Sequence, residues 1–424
     1  MSKDSLRVIR PAKHVNVKIA VPPSKSYTNR ALIAGALAEG TTTLLHPSQS
    51  EDSKYLIEAL KEFSIDIKSK KDRVQVQGSG GCLQAPAKEI FIGNAGTTMR
   101  FLSGLASLAN GNTILNGDEQ MQRRPINDLL EALRMAGIKC SSNNGYPPVI
   151  ISGGNFAGGR IEVNGNISSQ FLSSLLLSAP YAKRPVSIHV KGRLTSLPYV
   201  DMTLHVMRSF GAEIEVIEMT TYTINNKQKY IGHTFPIEAD ASSATYFLAA
   251  AAITGGRVVI TNLSPESLQG DIKFVNVLSD MGCSVTKRED SIEIHGGKLR
   301  GIEVDMNEMP DCVPTLAIVA AFAEGVTAIH NIPQLRYKES NRLQAIATEL
   351  SKLGTKVEIG DDGMAIRPQR LHGATIETYN DHRIAMSFAI AGLQVEGISI
   401  KNPGCVAKSF PNFWEEFEKL EGKK

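Results

Sequence analysis

Residues 31–38 read ALIAGALA, a run of small apolar side chains with no polar face. A helix that is apolar all round has to be buried. Comparable runs return five times along the chain: FLSGLA at 101–106, FLSSLLL at 171–177, YFLAAAA at 246–252, LAIVAAF at 316–322 and IAMSFAI at 384–390. The sequence therefore predicts six interior helices.

Amphipathic segments alternate with these interior helices, at 56–61, 129–134 and 343–353. Most such segments end at a glycine before a β-branched stretch, which is typical of a helix end followed by a strand. The interior helices begin at positions 70 to 72 residues apart, near Lys25, Gly96, Ser168, Asp240, Asp311 and Asp381. The spacing predicts six copies of one unit: strand, interior helix, strand, surface helix, strands. Coincidental spacing is the alternative, but the interior helices and the amphipathic segments recur with the same period along the chain.

The composition excludes several classes of protein. Lys and Arg number 46 against 43 Asp and Glu, a net charge of +3, which is not the strongly basic balance of a nucleic-acid binder. The first residues lack a signal-peptide core, and no apolar run reaches the length of a membrane span. The five cysteines stand far apart without a CxxC pair, and no zinc motif occurs. We therefore expect a cytoplasmic protein with reduced thiols, no metal, no membrane and no nucleic-acid partner.

The first residues of the interior helices are where chemistry is expected. The N-terminus of a helix carries free N–H groups and a partial positive charge, so it favours an anion. The first three helices begin with Lys25-Ser26, Gly96-Thr97-Thr98 and Ser168-Ser169-Gln170, whereas the last three begin with aspartates. This difference predicts two domains of three repeats, one binding anions and one supplying acids or bases. The alternative is that these Ser and Asp residues only cap their helices.

Basic residues recur beside the helix starts, at Arg30, Arg100, Arg124, Lys338, Arg342, Arg383 and Lys408. Each could be an ordinary surface charge. Taken together they indicate a site for two multiply anionic small molecules, because guanidinium and ammonium groups are the usual partners of phosphate and carboxylate.

Nine segments in order resemble the 5-enolpyruvylshikimate-3-phosphate synthase family of enolpyruvyl transferases. They are PSKS with NR at 23–30, GNAGTTMR at 93–100, RPI at 124–126, SSQFL at 168–172, PYVDMT at 198–203, DASSA at 240–244, KESNRL at 338–343, NDHR at 380–383 and AKSFP at 407–411.

The resemblance implies a mixed α/β fold, a two-domain inside-out α/β barrel in which each domain is a pseudo-threefold of three βαβαββ repeats. The first domain would span 21–236 and mainly bind the phosphate of 3-phosphoshikimate. The second would combine 1–20 with 237–424, binding phosphoenolpyruvate and carrying the acid and base groups. The active site would lie in the cleft between the domains, and we expect a monomer.

The implied reaction transfers the enolpyruvyl group of phosphoenolpyruvate to the 5-hydroxyl of 3-phosphoshikimate by addition and elimination, without a cofactor. Such a reaction needs general acids and bases beside both substrates. The resemblance implies Asp311 as the base at the hydroxyl, and Lys25 and Glu339 as the groups that transfer protons at the methylene carbon. His382 is a further expected catalytic residue.

The resemblance also implies two sets of binding residues. The 3-phosphoshikimate set is Lys25, Ser26, Arg30, Ser168, Ser169, Gln170, Ser196, Tyr199, Asp311, Gln334 and Lys338. The phosphoenolpyruvate set is Lys25, Asn94, Gly96, Arg124, Gln170, Arg342, Arg383 and Lys408.

Four residues depart from the family pattern: Gln120 stands where Arg is frequent, Gln334 where Asn is common, Asn341 where Asp is common, and Phe101 where one large branch of the family has Pro. Two other activities stay open. The related transferase acting on UDP-N-acetylglucosamine usually has Lys-Asn at the first helix and a loop cysteine near Arg124, which this chain lacks. An RNA-end-processing enzyme of similar repeat would need a nucleophilic histidine, for which His382 is a weak candidate. A non-catalytic repeat scaffold would not gather charges at helix starts.

Overall fold

The computed structural model of this chain describes residues 5–12 and 14–421. It forms a continuous unit, Pro23–Glu238, and a discontinuous unit, Met1–Pro22 with Ala239–Lys424. The predicted bounds 1–20 and 237–424 include residues 1–4, 13 and 422–424, which lie outside the described residues.

Both crossings between the units lie about two residues later than predicted, and hydrogen bonds account for the difference. The main chain of Val21 exchanges two bonds with the side-chain amide of Asn262, at 3.0 and 2.8 Å, which holds it in the discontinuous unit. Ile237 N donates to Leu45 O at 3.0 Å, which holds it in the continuous unit.

The α-helices are α1 Lys25–Leu37, α2 Glu51–Glu62, α3 Gly96–Ala106, α4 Asn127–Met135, α5 Ser169–Ser178, α6 Leu197–Ser209, α7 Ala241–Thr254, α8 Phe274–Asp280, α9 Val313–Ala321, α10 Arg342–Lys352, α11 His382–Ala391 and α12 Phe413–Phe417. The predicted interior helices correspond to α1, α3, α5, α7, α9 and α11, and nearly all of their residues are buried.

The strands are β1 Leu6–Val8, β2 Asn16–Ile19, β3 Thr41–Leu45, β4 Ile67–Ser69, β5 Arg73–Gln77, β6 Ile90–Phe91, β7 Gly111–Asn116, β8 Lys139–Asn143, β9 Tyr146–Gly153, β10 Gly159–Asn164, β11 Val186–Lys191, β12 Ile214–Ile217, β13 Thr221–Ile224, β14 Thr234–Pro236, β15 Arg257–Ile260, β16 Ser284–Arg288, β17 Ser291–His295, β18 Glu303–Asp305, β19 Thr327–His330, β20 Lys356–Ile359, β21 Met364–Arg367, β22 Thr375–Ile376 and β23 Ser399–Lys401.

One strand order repeats in five four-stranded sheets of the described chain. The orders are β14-β3-β5-β4, β6-β7-β9-β8 and β10-β11-β13-β12 in the continuous unit, and β2-β15-β17-β16 and β18-β19-β21-β20 in the discontinuous unit. In each sheet the first two strands are parallel and the other neighbours are antiparallel. The sixth sheet, β1-β23-β22, has three strands. The mixed α/β class and the repeat are confirmed.

Small residues let the interior helices approach one another within each unit. Helices α1, α3 and α5 contact one another, and so do α7, α9 and α11. At Gly104 on α3, a Cβ atom would lie 2.5 Å from Ser174 Oγ on α5, so only glycine fits there. The run of small side chains in each interior helix is therefore a packing requirement.

Two helix predictions need correction. Helix α9 begins at Val313, because Pro310–Cys312 forms a 3₁₀ turn that places Asp311 before the helix. In the sixth repeat the 3₁₀ segment Pro403–Lys408 precedes α12, Phe413–Phe417, whose five residues make it much shorter than the surface helix predicted for each repeat. Proline lacks the N–H that a longer helix would need, which fits a short turn at both places. Over residues 5–12 and 14–421, no helix is long and apolar enough to span a membrane.

Candidate active site

Some of the residues predicted at the helix starts cap their helices, and Asp311 does not. Ser168 caps α5 by accepting from Gln170 N at 3.2 Å, and Asp240 caps α7 by accepting from Ser243 N at 2.8 Å. Asp381 also caps α11, by accepting from Arg383 N at 3.0 Å. Asp311 caps no helix, since its 3₁₀ turn shows no side-chain capping bond. Capping thus accounts for some of these residues but not for Asp311.

A buried guanidinium lies at the centre of the discontinuous unit's charged residues. Arg342, the first residue of α10, is 1% exposed. Its Nε donates to Asp381 Oδ2 at 2.9 Å and its Nη1 to Asp311 Oδ1 at 2.9 Å. Its Nη2 donates to Glu339 Oε2 at 2.6 Å. One side chain therefore holds three carboxylates in fixed positions.

Asp311 is also bound by a second arginine. Arg383 Nη2 donates to Asp311 Oδ2 at 2.7 Å, so each carboxylate oxygen of Asp311 contacts one guanidinium. Two lysines complete the group: Lys338 Nζ lies 3.6 Å from Asp311 Oδ1, and Lys408 Nζ lies 4.0 Å from Glu339 Oε1. We call these seven residues the acid–base cluster: Asp311, Lys338, Glu339, Arg342, Asp381, Arg383 and Lys408.

The charges of the acid–base cluster set its protonation. Burial alone would raise the pKa of Asp311, but the positive charges of Arg383, Lys338 and Arg342 outweigh it and hold that pKa well below its usual value. Burial lowers the pKa of Arg342, and its three carboxylate partners more than reverse this, so that the pKa is raised. Asp311 is therefore ionised at neutral pH and able to accept a proton.

Two other predicted residues of this unit are buried. The His382 ring is 1% exposed, and its Nδ1 lies 3.7 Å from Asp381 Oδ1. Gln334 is also buried, and neither its amide oxygen nor its amide nitrogen has a hydrogen-bond partner among the described residues. Such unsatisfied buried amides are rare and call for a partner from a ligand or from water.

In the continuous unit, Lys25 is the first residue of α1, and its Nζ lies 3.1 Å from Asp52 Oδ2. Asp52 stands in the first turn of α2 and is buried. Sequence analysis missed Asp52, because an acid in the first turn of an amphipathic helix usually serves only the helix dipole. The pair holds the Lys25 ammonium at the start of an interior helix.

Arg30 is fully buried and organises three neighbours. Its Nε donates to Thr203 Oγ1 at 2.7 Å, its Nη1 to Ser26 O at 3.0 Å, and its Nη2 to Tyr199 O at 2.8 Å. Burial lowers its pKa to about 10. Two predicted ligand residues, Ser26 and Tyr199, are therefore fixed by the same guanidinium.

The start of α3 packs against two arginines. Arg124 Nη1 donates to Asn94 Oδ1 at 3.3 Å, and Asn94 Nδ2 donates to Gln120 Oε1 at 3.1 Å. A Cβ atom at Gly96 would lie 2.6 Å from Arg124 Nη2 and 2.7 Å from Arg100 Nη1. Gln120, the departure from the family pattern, here orients the asparagine that holds Arg124.

The predicted serines lie at two helix starts of the continuous unit. Ser169 is the first residue of α5 and is buried, and Gln170 Nε2 donates to Thr97 Oγ1 at 3.2 Å. Ser196, which precedes α6, has φ 57° and ψ 47°. A left-handed backbone at a non-glycine residue is uncommon and concentrates at functional sites.

Sequence analysis also missed Asp271, which lies in a 3₁₀ turn before α8. Its carboxylate is buried and accepts a hydrogen bond from Ser242 Oγ. Burial and the charge of Asp311 raise the pKa of Asp271 to about 6. A lone aspartate after a glycine carries no signal of this in the sequence, since it is typical of a surface turn.

A family model and the similar proteins found by comparison carry the same enzyme name. A family model described as "EPSP synthase (3-phosphoshikimate 1-carboxyvinyltransferase)" matches residues 9–417. The 3-phosphoshikimate 1-carboxyvinyltransferase of Trichormus variabilis is 43% identical over 425 residues, covering 99% of this chain and 100% of that protein. The enzyme of the same name from Serratia proteamaculans is 44% identical over 424 residues, covering 98% and 99%.

A solved structure is similar over the same length. The EPSP synthase from Acinetobacter baumannii superposes with a TM-score of 0.81 at 31% sequence identity, and the match covers 98% of both chains.

Proposed function

The chain belongs to the EPSP synthase (3-phosphoshikimate 1-carboxyvinyltransferase) family, and from this premise we propose that Asp311 is the base of its reaction. The protein transfers the enolpyruvyl group of phosphoenolpyruvate to 3-phosphoshikimate in the shikimate pathway, which leads to aromatic amino acids. In the proposed course, the 5-hydroxyl adds to the enol carbon while the methylene carbon gains a proton. The tetrahedral adduct then loses a proton from the resulting methyl group, its C–O bond to phosphate breaks, and the double bond re-forms.

One observation carries the assignment of Asp311: its two carboxylate oxygens contact Arg342 and Arg383 at 2.9 and 2.7 Å. Both arginines are proposed to bind phosphoenolpyruvate. When the anionic substrate engages their N–H groups, less positive charge acts on Asp311, and its pKa rises towards its ordinary value. The base would thus gain strength only when the substrate is bound.

The remaining proton transfers are assigned to Glu339 and Lys25. Glu339 contacts Arg342 and faces Lys408 at 4.0 Å, so its charge is balanced within the acid–base cluster. Lys25 is held by Asp52. These two groups would supply and remove the proton at the methylene carbon. His382 stays a catalytic prediction with a buried ring near Asp381.

Phosphoenolpyruvate would be held by cations and by one helix start. Arg342, Arg383 and Lys408 come from the acid–base cluster. The start of α3 supplies Arg124, Asn94 and Gly96. Lys25 and Gln170 complete the predicted set. Such fixed donors stabilise the negative charge on the leaving phosphate.

The proposed 3-phosphoshikimate residues divide by the group they would contact. Ser168, Ser169 and Ser196 would bind the phosphate, because the start of α5 directs N–H groups towards an anion. Ser26, Arg30, Gln170, Tyr199, Gln334 and Lys338 would bind the ring and carboxylate. The two unsatisfied amide atoms of Gln334 support its role, since a ring hydroxyl could satisfy both. The predicted shared cleft, a monomeric state and a cytoplasmic location stay predictions.

The assignment of Asp311 is tested by Asp311→Asn, which keeps the shape of the side chain and removes the base. We expect phosphate release from phosphoenolpyruvate and 3-phosphoshikimate to fall by about 10²–10⁴-fold. Calorimetry should show that both substrates still bind, because Arg342 and Arg383 remain. Phosphoenolpyruvate should bind at least as tightly as to the wild type, because the negative charge of Asp311 no longer competes for these arginines. The exposed Asp290→Asn is the matched control and should keep full turnover. Turnover of the Asp311 variant within tenfold of the wild type would remove it as the base.

A further inference from the structure

The buried carboxyl group of Asp271, which is linked to the acid–base cluster through Ser242, has no part in the proposed reaction. Asp271 is 3% exposed and lies in the turn before α8. It receives the hydroxyl hydrogen of Ser242, the second residue of α7. Neither residue belongs to the predicted site, although Ser242 lies within the segment DASSA at 240–244.

Ser242 connects Asp271 to a cation of the cluster. Arg383 Nη2 donates to Ser242 Oγ at 3.4 Å and to Asp311 Oδ2 at 2.7 Å. Arg383 Nη1 donates to Tyr246 OH at 3.3 Å. The contacts therefore run from Asp271 through Ser242 and Arg383 to Asp311.

The direction of the Ser242 hydroxyl depends on Asp271. A serine hydroxyl has one hydrogen and two acceptor lone pairs. When Asp271 is ionised, it accepts that hydrogen, and a lone pair of Ser242 Oγ is left facing Arg383. When Asp271 is neutral, its own hydroxyl can donate to Ser242 Oγ. The Ser242 hydrogen must then point away from Asp271, where it competes with the N–H of Arg383 for the space beside Ser242 Oγ.

We propose that Asp271 and Ser242 form a positioning relay that holds Arg383 in the orientation needed to bind phosphoenolpyruvate. The inference rests on the proposed role of Arg383. Asp271 is a positioning residue, because it contacts Ser242 and reaches the substrate only through Arg383. No proton leaves the relay during turnover.

The charged surroundings of Asp271 support a functional reason for its presence. Burial and the negative charges of Asp311 and Asp240 raise its pKa to about 6, while Arg383 and the Ser242 hydrogen bond act in the opposite direction. The Cys312 thiol is a further titratable neighbour, whose own pKa is raised by burial and by Asp271. An ionised aspartate at this position is costly for folding, and such groups concentrate at functional sites.

The test uses Asp271→Asn, whose amide can donate to Ser242 as a neutral aspartate would, together with Ser242→Ala and the double variant. At pH 8 each single variant should raise the KM for phosphoenolpyruvate roughly tenfold, the scale of one hydrogen bond to a charged group, with a smaller change in kcat. The double variant should match the single ones, because both break the same relay. Glu293→Gln, which changes a buried carboxylate on β17 bound to Arg257, is the matched control.

The pH profile separates the relay from a purely structural role. As the pH falls through about 6, wild-type Asp271 takes up a proton, so the ratio of the two KM values, Asp271→Asn over wild type, should fall towards one. The titration of phosphoenolpyruvate itself cancels in this ratio. A ratio independent of pH, additive effects in the double variant, or an unchanged KM would each overturn the relay. If Asp271→Asn does not fold, Ser242→Ala still tests the link. An unchanged KM in Arg383→Gln would instead overturn the proposed role of Arg383.

Discussion

Five arginines of the candidate site form hydrogen bonds to different kinds of acceptor in the two units. In the discontinuous unit, Arg342 and Arg383 contact the carboxylates of the acid–base cluster at 2.6 to 3.3 Å. In the continuous unit, Arg30 and Arg100 donate to main-chain carbonyls, and Arg124 to the amide oxygen of Asn94. These bonds therefore end on carboxylates in the discontinuous unit and on neutral oxygens in the continuous unit.

This difference separates two tasks that the proposed reaction requires. A hydrogen bond to a neutral oxygen does not itself compensate the charge of a guanidinium, which suits such an arginine to binding an anion. A guanidinium bound to carboxylates controls their protonation and releases that control when a substrate anion arrives. The continuous unit is therefore suited to binding, and the discontinuous unit to proton transfer.

The largest expected effect is the loss of stability when one arginine of each unit is replaced, Arg342 in the discontinuous unit and Arg124 in the continuous unit. Arg342→Met leaves Asp381, Asp311 and Glu339 without their shared cation, and breaking a buried ion pair costs about 3–5 kcal/mol. Arg124→Met removes a bond to the neutral amide oxygen of Asn94 and should cost about 1–2 kcal/mol. Hydrogen exchange, which resolves each unit, measures both losses.

The fluorescence of Trp414, the chain's one tryptophan, gives an independent check, since it reports on the discontinuous unit. Its urea transition should move to lower concentration in Arg342→Met and stay in place in Arg124→Met. Equal losses of stability in the two variants would contradict the contrast between charged and neutral partners.

The next expected effect is a weaker binding of phosphoenolpyruvate at the start of α3, with little change in the proton-transfer steps. In Gly96→Ala the new methyl group would lie 2.6 Å from Arg124 Nη2, so the guanidinium has to move. We expect the KM for phosphoenolpyruvate to rise by about tenfold, with kcat changed less, as for the loss of one charged hydrogen bond. Steady-state kinetics with varied phosphoenolpyruvate measure this.

Gly104→Ala on the same helix is the control for packing. Its methyl group would meet Ser174 on α5, not an arginine, so stability should fall while the KM stays near that of the wild type. A similar KM increase in both variants would mean that α3 acts only through its packing.

The last expected effect is a gain in stability when the buried charge of Asp271 is removed. The folded-state pKa of Asp271 is raised from 3.8 to about 6, so protonation favours the folded state. That contribution is fully present below pH 3.8 and is lost as the pH rises through about 6. Asp271→Asn should therefore be more stable than the wild type at pH 8 by up to about 3 kcal/mol, and about equal at pH 4.

Urea unfolding of wild type and Asp271→Asn at the two pH values measures this difference. Asp290→Asn, on the exposed turn between β16 and β17, should show no such pH dependence. A loss of stability at pH 8 would mean that Asp271 serves folding and not the orientation of Arg383.

Much of the architecture was readable from local patterns. The run ALIAGALA and its five counterparts predicted the interior helices, and five of the six starts agree with the structure to within one residue. Asp311 was the exception, because Pro310 initiates a separate 3₁₀ turn before α9. The strand that completes the first sheet, β14, is distant in the sequence from β3, so no local pattern indicated their pairing.

The sequence could nominate residues for the candidate site where a residue's chemistry is intrinsic, as for Lys25, Arg342 and Asp311. It could not do so where the environment creates the chemistry. Asp52 lies 27 positions from Lys25, and Asp271 lies 29 positions from Ser242. Both aspartates look like ordinary acids until their partners are known.

Side-chain size, helix periodicity and repeat length were enough to give this chain its class, its interior helices and its charged helix starts, because these depend on neighbours within a few turns. The pairing of Asp311 with two arginines, the raised pKa of Asp271 and the room left at Gly96 depend on atoms brought together from distant segments. Electrostatic and steric effects act through space, so folding alone decided them.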